Sequence, residues 1–313
     1  MRARSLLLVL VLLVVFTGVA RAEEPEGGVS AAVLEEWIQE SPAALGSLLL
    51  LKYGMAVVGL ILLVRIWIRR DRVRAGILPG TAKVEPTTPF ELPTALALLG
   101  GTLILIVLAS QSVASLDLGD SARMAVGMGV LQTILLILAA VIILRRRQLQ
   151  AGPHTSQPAT AWAAFRTFAI ATACVIPVMF LSAAVLHALE IPITLYGPVE
   201  EVVAGRDASM PWIILVLSVV AAPIAEESLF RGMLYPAIRK ALGPRSGVLV
   251  GAVVTSALFA LIHWHAASFL PLFTLAMVFA LVFERTDSLA TVIGAHALWN
   301  AATMVPLLIR ATA

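Results

Sequence analysis

Three short spacings in the C-terminal third put reactive side chains where the chain is otherwise apolar: Glu226-Glu227-x-x-x-Arg231, Phe259-x-x-x-His263 and His296-x-x-x-Asn300. Carboxylates, imidazoles and an amide held away from bulk water can move protons, stabilise developing negative charge or bind a metal ion. Fifteen residues from Pro211 to Ala225 precede the acid pair, and none of them is charged. An acid at the centre of a membrane helix costs about 2.5–3.5 kcal/mol, so two adjacent ones mark a functional site by default. Other acid pairs, Glu23-Glu24, Glu35-Glu36 and Glu200-Glu201, lie outside membrane-length apolar runs and have no Arg four residues on.

On a helix, residues four apart share a face. Glu227 is thus expected to pair with Arg231, leaving Glu226, rotated by about 100°, to face another partner. Gly247, Gly251, Thr255, Phe259 and His263 recur every four residues and line one stripe. Small residues at that spacing permit close helix approach, and the stripe delivers an aromatic ring and an imidazole at its far end. His296 and Asn300 likewise face one way.

The elements that must position these groups are membrane spans. Of 313 residues, 60% are hydrophobic and 13% charged, and the mean hydropathy is +0.96, against roughly 25% charged in ordinary soluble domains. The fold class read from this is all-α, a polytopic membrane bundle of about eight helices after an N-terminal signal-like segment. Residues 1–22 have the basic, apolar and Ala-x-Ala parts of a secretory signal, with an uncleaved anchor as the alternative. Residues 23–47 form a short extracytoplasmic segment, with a short amphipathic helix expected at Val29–Gln39. Spans are expected near Leu48–Ile68, Leu92–Ser110, Met124–Leu144, Thr167–Leu189, from Pro211, Ser246–Trp264, Ala266–Phe283 and Leu289–Ile309. Arg and Lys cluster after the odd-numbered spans, which makes those ends cytoplasmic. The single cysteine, Cys174, excludes an internal disulfide and a Cys-based metal cage. No basic run with interleaved aromatics points to nucleic acid.

The Gly243-Pro244-Arg245 turn implies an antiparallel hairpin. Glu227 lies 16 residues before Gly243 and His263 lies 18 after Arg245, roughly 25 Å from the turn on either side. The expectation is that the two stand level, provided the fifth helix runs on past Arg231. His296 is expected at the same depth on the last span.

Taken together and in this order, the three motifs resemble the CPBP family: type II CAAX prenyl proteases and the related bacteriocin-processing and immunity membrane proteins. The resemblance covers roughly 205–309, within a protease core of 205–313; residues 48–204 form N-terminal transmembrane helices of unassigned role. It implies an intramembrane endopeptidase with a polar cavity reached from the cytoplasm. By the resemblance, Glu226 takes a proton from water and His263 holds that water from the opposite side. His296 and Asn300 stabilise the oxyanion, and Arg231 orients Glu227 and the local backbone.

The implied partners are a protein or peptide with a hydrophobic or lipidated segment and the membrane lipid, and the implied location is a bacterial inner membrane. No cofactor is favoured, and zinc on Glu226, His263 and His296 stays open as an alternative. A non-catalytic immunity or scaffold protein could use the same cavity for binding. A proton-coupled transporter fits less well, since the polar residues gather at one level and no internal repeat is seen.

Overall fold

The computed structural model describes residues 42–68, 87–150, 161–190, 210–243 and 246–311. The signal-like segment and the Val29–Gln39 helix expected from the sequence lie outside these residues. Apolar runs in lipid must satisfy every backbone N–H and C=O internally, and the described chain does so with helices alone. In order these are α1 Pro42–Ile68, α2 Leu92–Ala114, α3 Asp120–Gln150, α4 Ala161–Ala188, α5 spanning 210–242, α6 Ser246–Leu261, α7 Ala266–Thr286 and α8 Leu289–Ala311. Five stretches are long and apolar enough to cross a membrane: Leu92–Ala114, Ala122–Leu149, Ala161–Ala188, Pro211–Leu242 and Ala266–Thr286. The protein is an integral, multi-pass helical bundle.

Helix α5 is the axis. Half of its most apolar window, 50%, is buried inside the protein, against 11–33% for the other four long spans. On one side it packs with Ala95 and Leu96 of α2 and Leu138 and Ile142 of α3, through Leu229, Phe230, Met233 and Leu234. On the other, Tyr235 joins Phe168 and Val175 of α4, Leu275, Phe279 and Phe283 of α7, and Val292 and Ala295 of α8. Charged groups on α5 are therefore shielded from lipid by protein on both sides.

The helix is not regular. It alternates α-helix (Met210–Val216), π-helix (Leu217–Ala221), α-helix (Ala222–Glu227), π-helix (Ser228–Leu234) and α-helix (Tyr235–Leu242). Each π turn closes one residue before a proline: the N–H of Ala222 donates to the carbonyl of Leu217, and that of Tyr235 to Phe230, with Pro223 and Pro236 next. A proline lacks the N–H for its own turn, and its ring clashes with the carbonyl four residues back. A widened turn relieves that clash without ending the helix.

The hairpin approach is as close as the small-residue stripe requires. A Cβ placed on Gly247 would stand 2.4 Å from the Arg239 carbonyl oxygen, and one on Gly251 would stand 3.3 Å from the Tyr235 ring. Gly243 closes α5 at φ 81°, a conformation that costs glycine nothing.

The charged ends of the odd helices meet. Arg146 on α3 pairs with Asp287 after α7 at 2.5 Å, Arg239 on α5 with Glu284 on α7 at 2.8 Å, and Lys240 with Glu91 just before α2 at 2.5 Å. Among the described residues, Arg146, Arg239 and Lys240, expected on one membrane side, lie at one end of the bundle.

Candidate functional site

The site grows from Glu227. Its side chain is wholly buried, and Oε1 accepts hydrogen bonds from Arg231 Nη1 at 3.0 Å and from His296 Nδ1 at 3.0 Å. The first bond is the expected pair four residues apart on α5; the second brings α8 in. Arg231 is also fully buried and uses Nη2 to donate to the carbonyl of Ala276 on α7 at 2.9 Å. Its guanidinium lies 5.1 Å from the Phe259 ring centre, 5.8 Å from Phe279 and 5.9 Å from Phe230. Charge, carboxylate and three aromatic faces thus satisfy a cation that lipid could not, consistent with cation–π attraction being strongest when desolvated.

Glu226 differs from its neighbour. One residue earlier on α5, it keeps 17% of its side chain exposed and faces His296 Nε2 at 3.9 Å, beyond hydrogen-bond range. The two acids differ in their surroundings. Glu227 is held by two partners, and Glu226 is the more accessible one.

His263 lies just past the end of α6 in the turn before α7. Its Nδ1–H donates to the carbonyl of Phe259 at 2.7 Å, a terminal carbonyl of the kind that helix ends leave for side chains. That bond leaves Nε2 as the basic nitrogen. The imidazole packs on the Phe259 ring at 4.9 Å, and His296 meets the same ring at 5.8 Å. Phe259 therefore gathers both histidines and Arg231 around one aromatic ring.

Two expectations need correction in detail. The hairpin register pairs Gly247 with Arg239 and Gly251 with Tyr235. Counting up both helices, Phe259 stands level with Glu227, and His263 stands about one turn farther out. The π turn of α5 contributes, since it packs more residues into the same rise than the count assumed.

Asn300 does face the same way as His296, yet it meets α5 elsewhere. Its Nδ2 donates to the Ser218 carbonyl at 2.7 Å, about two turns from Glu226. His296 and Asn300 do not converge on one point.

Among the described residues no three His, Cys, Asp or Glu side chains are gathered in a way that could hold a metal ion. Glu226, His263 and His296 do not form a ligand set in this arrangement.

Phe279, the Ala276 carbonyl, Phe230 and the Ser218 carbonyl are parts of the site that sequence reasoning missed. Backbone carbonyls carry no residue signature, although Pro223 was a signal for one of them. The aromatic residues were indistinguishable from ordinary core.

With that geometry established, comparison with known families is informative. Residues 208–302 match the family model described as type II CAAX prenyl endopeptidase Rce1-like. No curated protein and no solved structure matches the chain. The matched stretch begins just before α5, ends within α8 and holds all three motifs. The resemblance drawn from Glu226-Glu227, Phe259, His263, His296 and Asn300 agrees with this match: over residues 208–302 the chain is similar to type II CAAX prenyl endopeptidases of the Rce1-like family.

Proposed function

We propose that this protein is an intramembrane endopeptidase that hydrolyses a peptide bond in a hydrophobic or lipid-modified protein or peptide, using water activated by Glu226. The observation that carries this reading is the contrast between the two adjacent acids. Glu227 is fully buried and held by Arg231 and His296, while Glu226 is partly exposed and reaches no such partner at hydrogen-bond distance.

Glu226 accepts a proton from water as that water attacks the scissile carbonyl, and His263 Nε2 steadies the water from the opposite side. The tetrahedral intermediate carries its negative charge toward Nε2 of His296, which donates to it as the imidazolium while Nδ1–H stays anchored on Glu227. A donor fixed in a water-poor site stabilises such charge without reorganising. Arg231 holds Glu227 in place, and so orients the His296 ring. Collapse of the intermediate sends the proton from Glu226 to the departing amine. No step is routed through a metal ion.

The substrate enters as a segment of low polarity, since the helices around the site are apolar, and the host membrane is proposed to be a bacterial inner membrane. The test compares membrane peptides in cells carrying the native protein or Glu226→Gln. Cleaved products that vanish with Glu226→Gln, at equal protein level, support the reading. Products that persist overturn it. Protection or scaffolding that survives Glu226→Gln would instead favour a binding role for the same cavity.

A further inference from the structure

The carbonyl of Ser218 is in an unusual position for a helix inside a membrane. Its two regular acceptor relationships both fail for reasons written in the sequence. The N–H four residues on, at Ala222, is drawn to Leu217 by the π turn. The residue five on is Pro223, which has no N–H. A buried backbone carbonyl left without a donor in lipid is costly. Asn300, reaching across from α8, supplies the donor at 2.7 Å.

We propose that Pro223 and Asn300 form one positioning device: the proline releases the Ser218 carbonyl, and Asn300 takes it, fixing α8 against α5 and presetting the turn that carries Glu226 and Glu227. Pro223 stands three residues before Glu226, and Asn300 stands one turn after His296. The bond therefore sets two distances at once: the advance of the acids along α5, and the register of α8 that lets His296 Nδ1 meet Glu227. Asn300 acts through Ser218 and is a positioning residue, with the oxyanion left to His296. The catalytic consequence rests on the endopeptidase reading; the structural coupling does not.

The decisive experiment is a double-mutant cycle on the full-length protein in detergent, with native, Pro223→Ala, Asn300→Ala and the double variant. Alanine at 223 restores an N–H five residues after Ser218, in register with the existing π turn. Thermal unfolding is read first, because it needs no enzymatic activity. Asn300→Ala is expected to lower the midpoint by several degrees in the native background and by less than half as much when residue 223 is Ala. Peptide cleavage is read second. Asn300→Ala is expected to reduce kcat at least 100-fold, and the double variant to recover at least tenfold of that.

The His296 Nδ1 resonance in ¹⁵N-labelled protein should shift in Asn300→Ala and return toward the native position in the double variant. Should Asn300→Ala fail to fold, restored folded yield in the double variant counts as the recovery, and its absence overturns the proposal. Equal losses in both backgrounds overturn it. Recovered stability with kcat still lost overturns it too, because Asn300 would then touch the reacting atoms directly. If the native protein cleaves nothing, the endopeptidase reading fails, while the unfolding cycle and the resonance still decide the coupling.

Discussion

The Nδ1–H of His296 on α8 donates to Oε1 of Glu227 on α5 at 3.0 Å, the same oxygen that Arg231 holds at 3.0 Å. One carboxylate oxygen therefore ties together two helices that are 69 residues apart in the chain. The consequence is chemical as well as structural. With Nδ1–H committed to Glu227, Nε2 is the nitrogen that His296 presents toward Glu226, and it carries a proton only in the imidazolium form.

Glu226→Gln should leave the bundle intact, since this side chain holds no buried ion pair at hydrogen-bond distance. Removing a general base costs about 10²–10⁴-fold in rate. Single-turnover cleavage of a hydrophobic peptide, with thermal unfolding as the fold control, checks both halves of the statement. An unchanged rate would remove Glu226 from the mechanism.

Arg231→Met should destabilise the protein itself. The side chains of Arg231 and Glu227 are both 0% exposed, and breaking such a pair by removing one partner costs about 3–5 kcal/mol. Glu227→Gln combined with Arg231→Met leaves no uncompensated charge and should regain part of that loss. Unfolding in denaturant of the native protein and the two variants measures the difference; a double variant no better than Arg231→Met would argue against charge as the cause.

Gly247→Ala tests the α5–α6 approach. The added methyl would meet backbone of Arg239 at 2.4 Å, where no flexible side chain can give way. Overpacking of this kind costs about 1–3 kcal/mol. Gly54→Ala is the control, because a Cβ there meets nothing within 4 Å. Thermal midpoints should fall for the first variant and hold for the second.

Asp287→Asn probes the basic end of the bundle. Asp287 accepts from Arg146 at 2.5 Å and from Thr87 at 2.9 Å, with Arg146 buried. Asparagine tolerates the left-handed backbone at φ 47°, so the substitution removes charge more than it changes conformation. Stability should fall by about 3–5 kcal/mol as Arg146 is left unbalanced, and urea unfolding reads it. Thr87 belongs to the segment leading into α2, which should become protease-sensitive in the variant.

Metal dependence separates two chemistries for the same residues. Since Glu226, His263 and His296 are not gathered as a ligand set, cleavage is expected to survive exhaustive chelation. Elemental analysis of the active protein accompanies the assay. Stoichiometric zinc whose removal abolishes turnover and whose return restores it would transfer the reaction to a metal-bound water.

Much of this protein was legible without coordinates. Long apolar runs without strand alternation are helices in lipid, and the eight expected segments all appear, their ends displaced by up to six residues, as at Leu48 against Pro42 and Leu144 against Gln150. The i, i+4 spacing of Glu227 and Arg231 determined their pairing, because both residues lie on one continuous helix. The Gly247–Gly251–Thr255 stripe foretold the close hairpin, since only small side chains let two backbones approach. Charge bias placed Arg146, Arg239 and Lys240 at one end.

Tertiary structure decided the rest. Counting from the turn put His263 level with Glu227, whereas the packing of Gly247 on Arg239 and Gly251 on Tyr235 sets a hairpin register about one turn away, to which the π turn before Tyr235 contributes. The motif spacing paired His296 with Asn300 by face alone. Which group on α5 each would meet depended on where Pro223 freed a carbonyl and how α8 docked against it. The aromatic box around Arg231 was equally hidden, because Phe230, Phe259 and Phe279 come from three helices and nothing local distinguishes them from core. Spacing along one helix is a local property that the chain carries within itself; the meeting of helices is a packing outcome, and Glu226 acquires its surroundings only there.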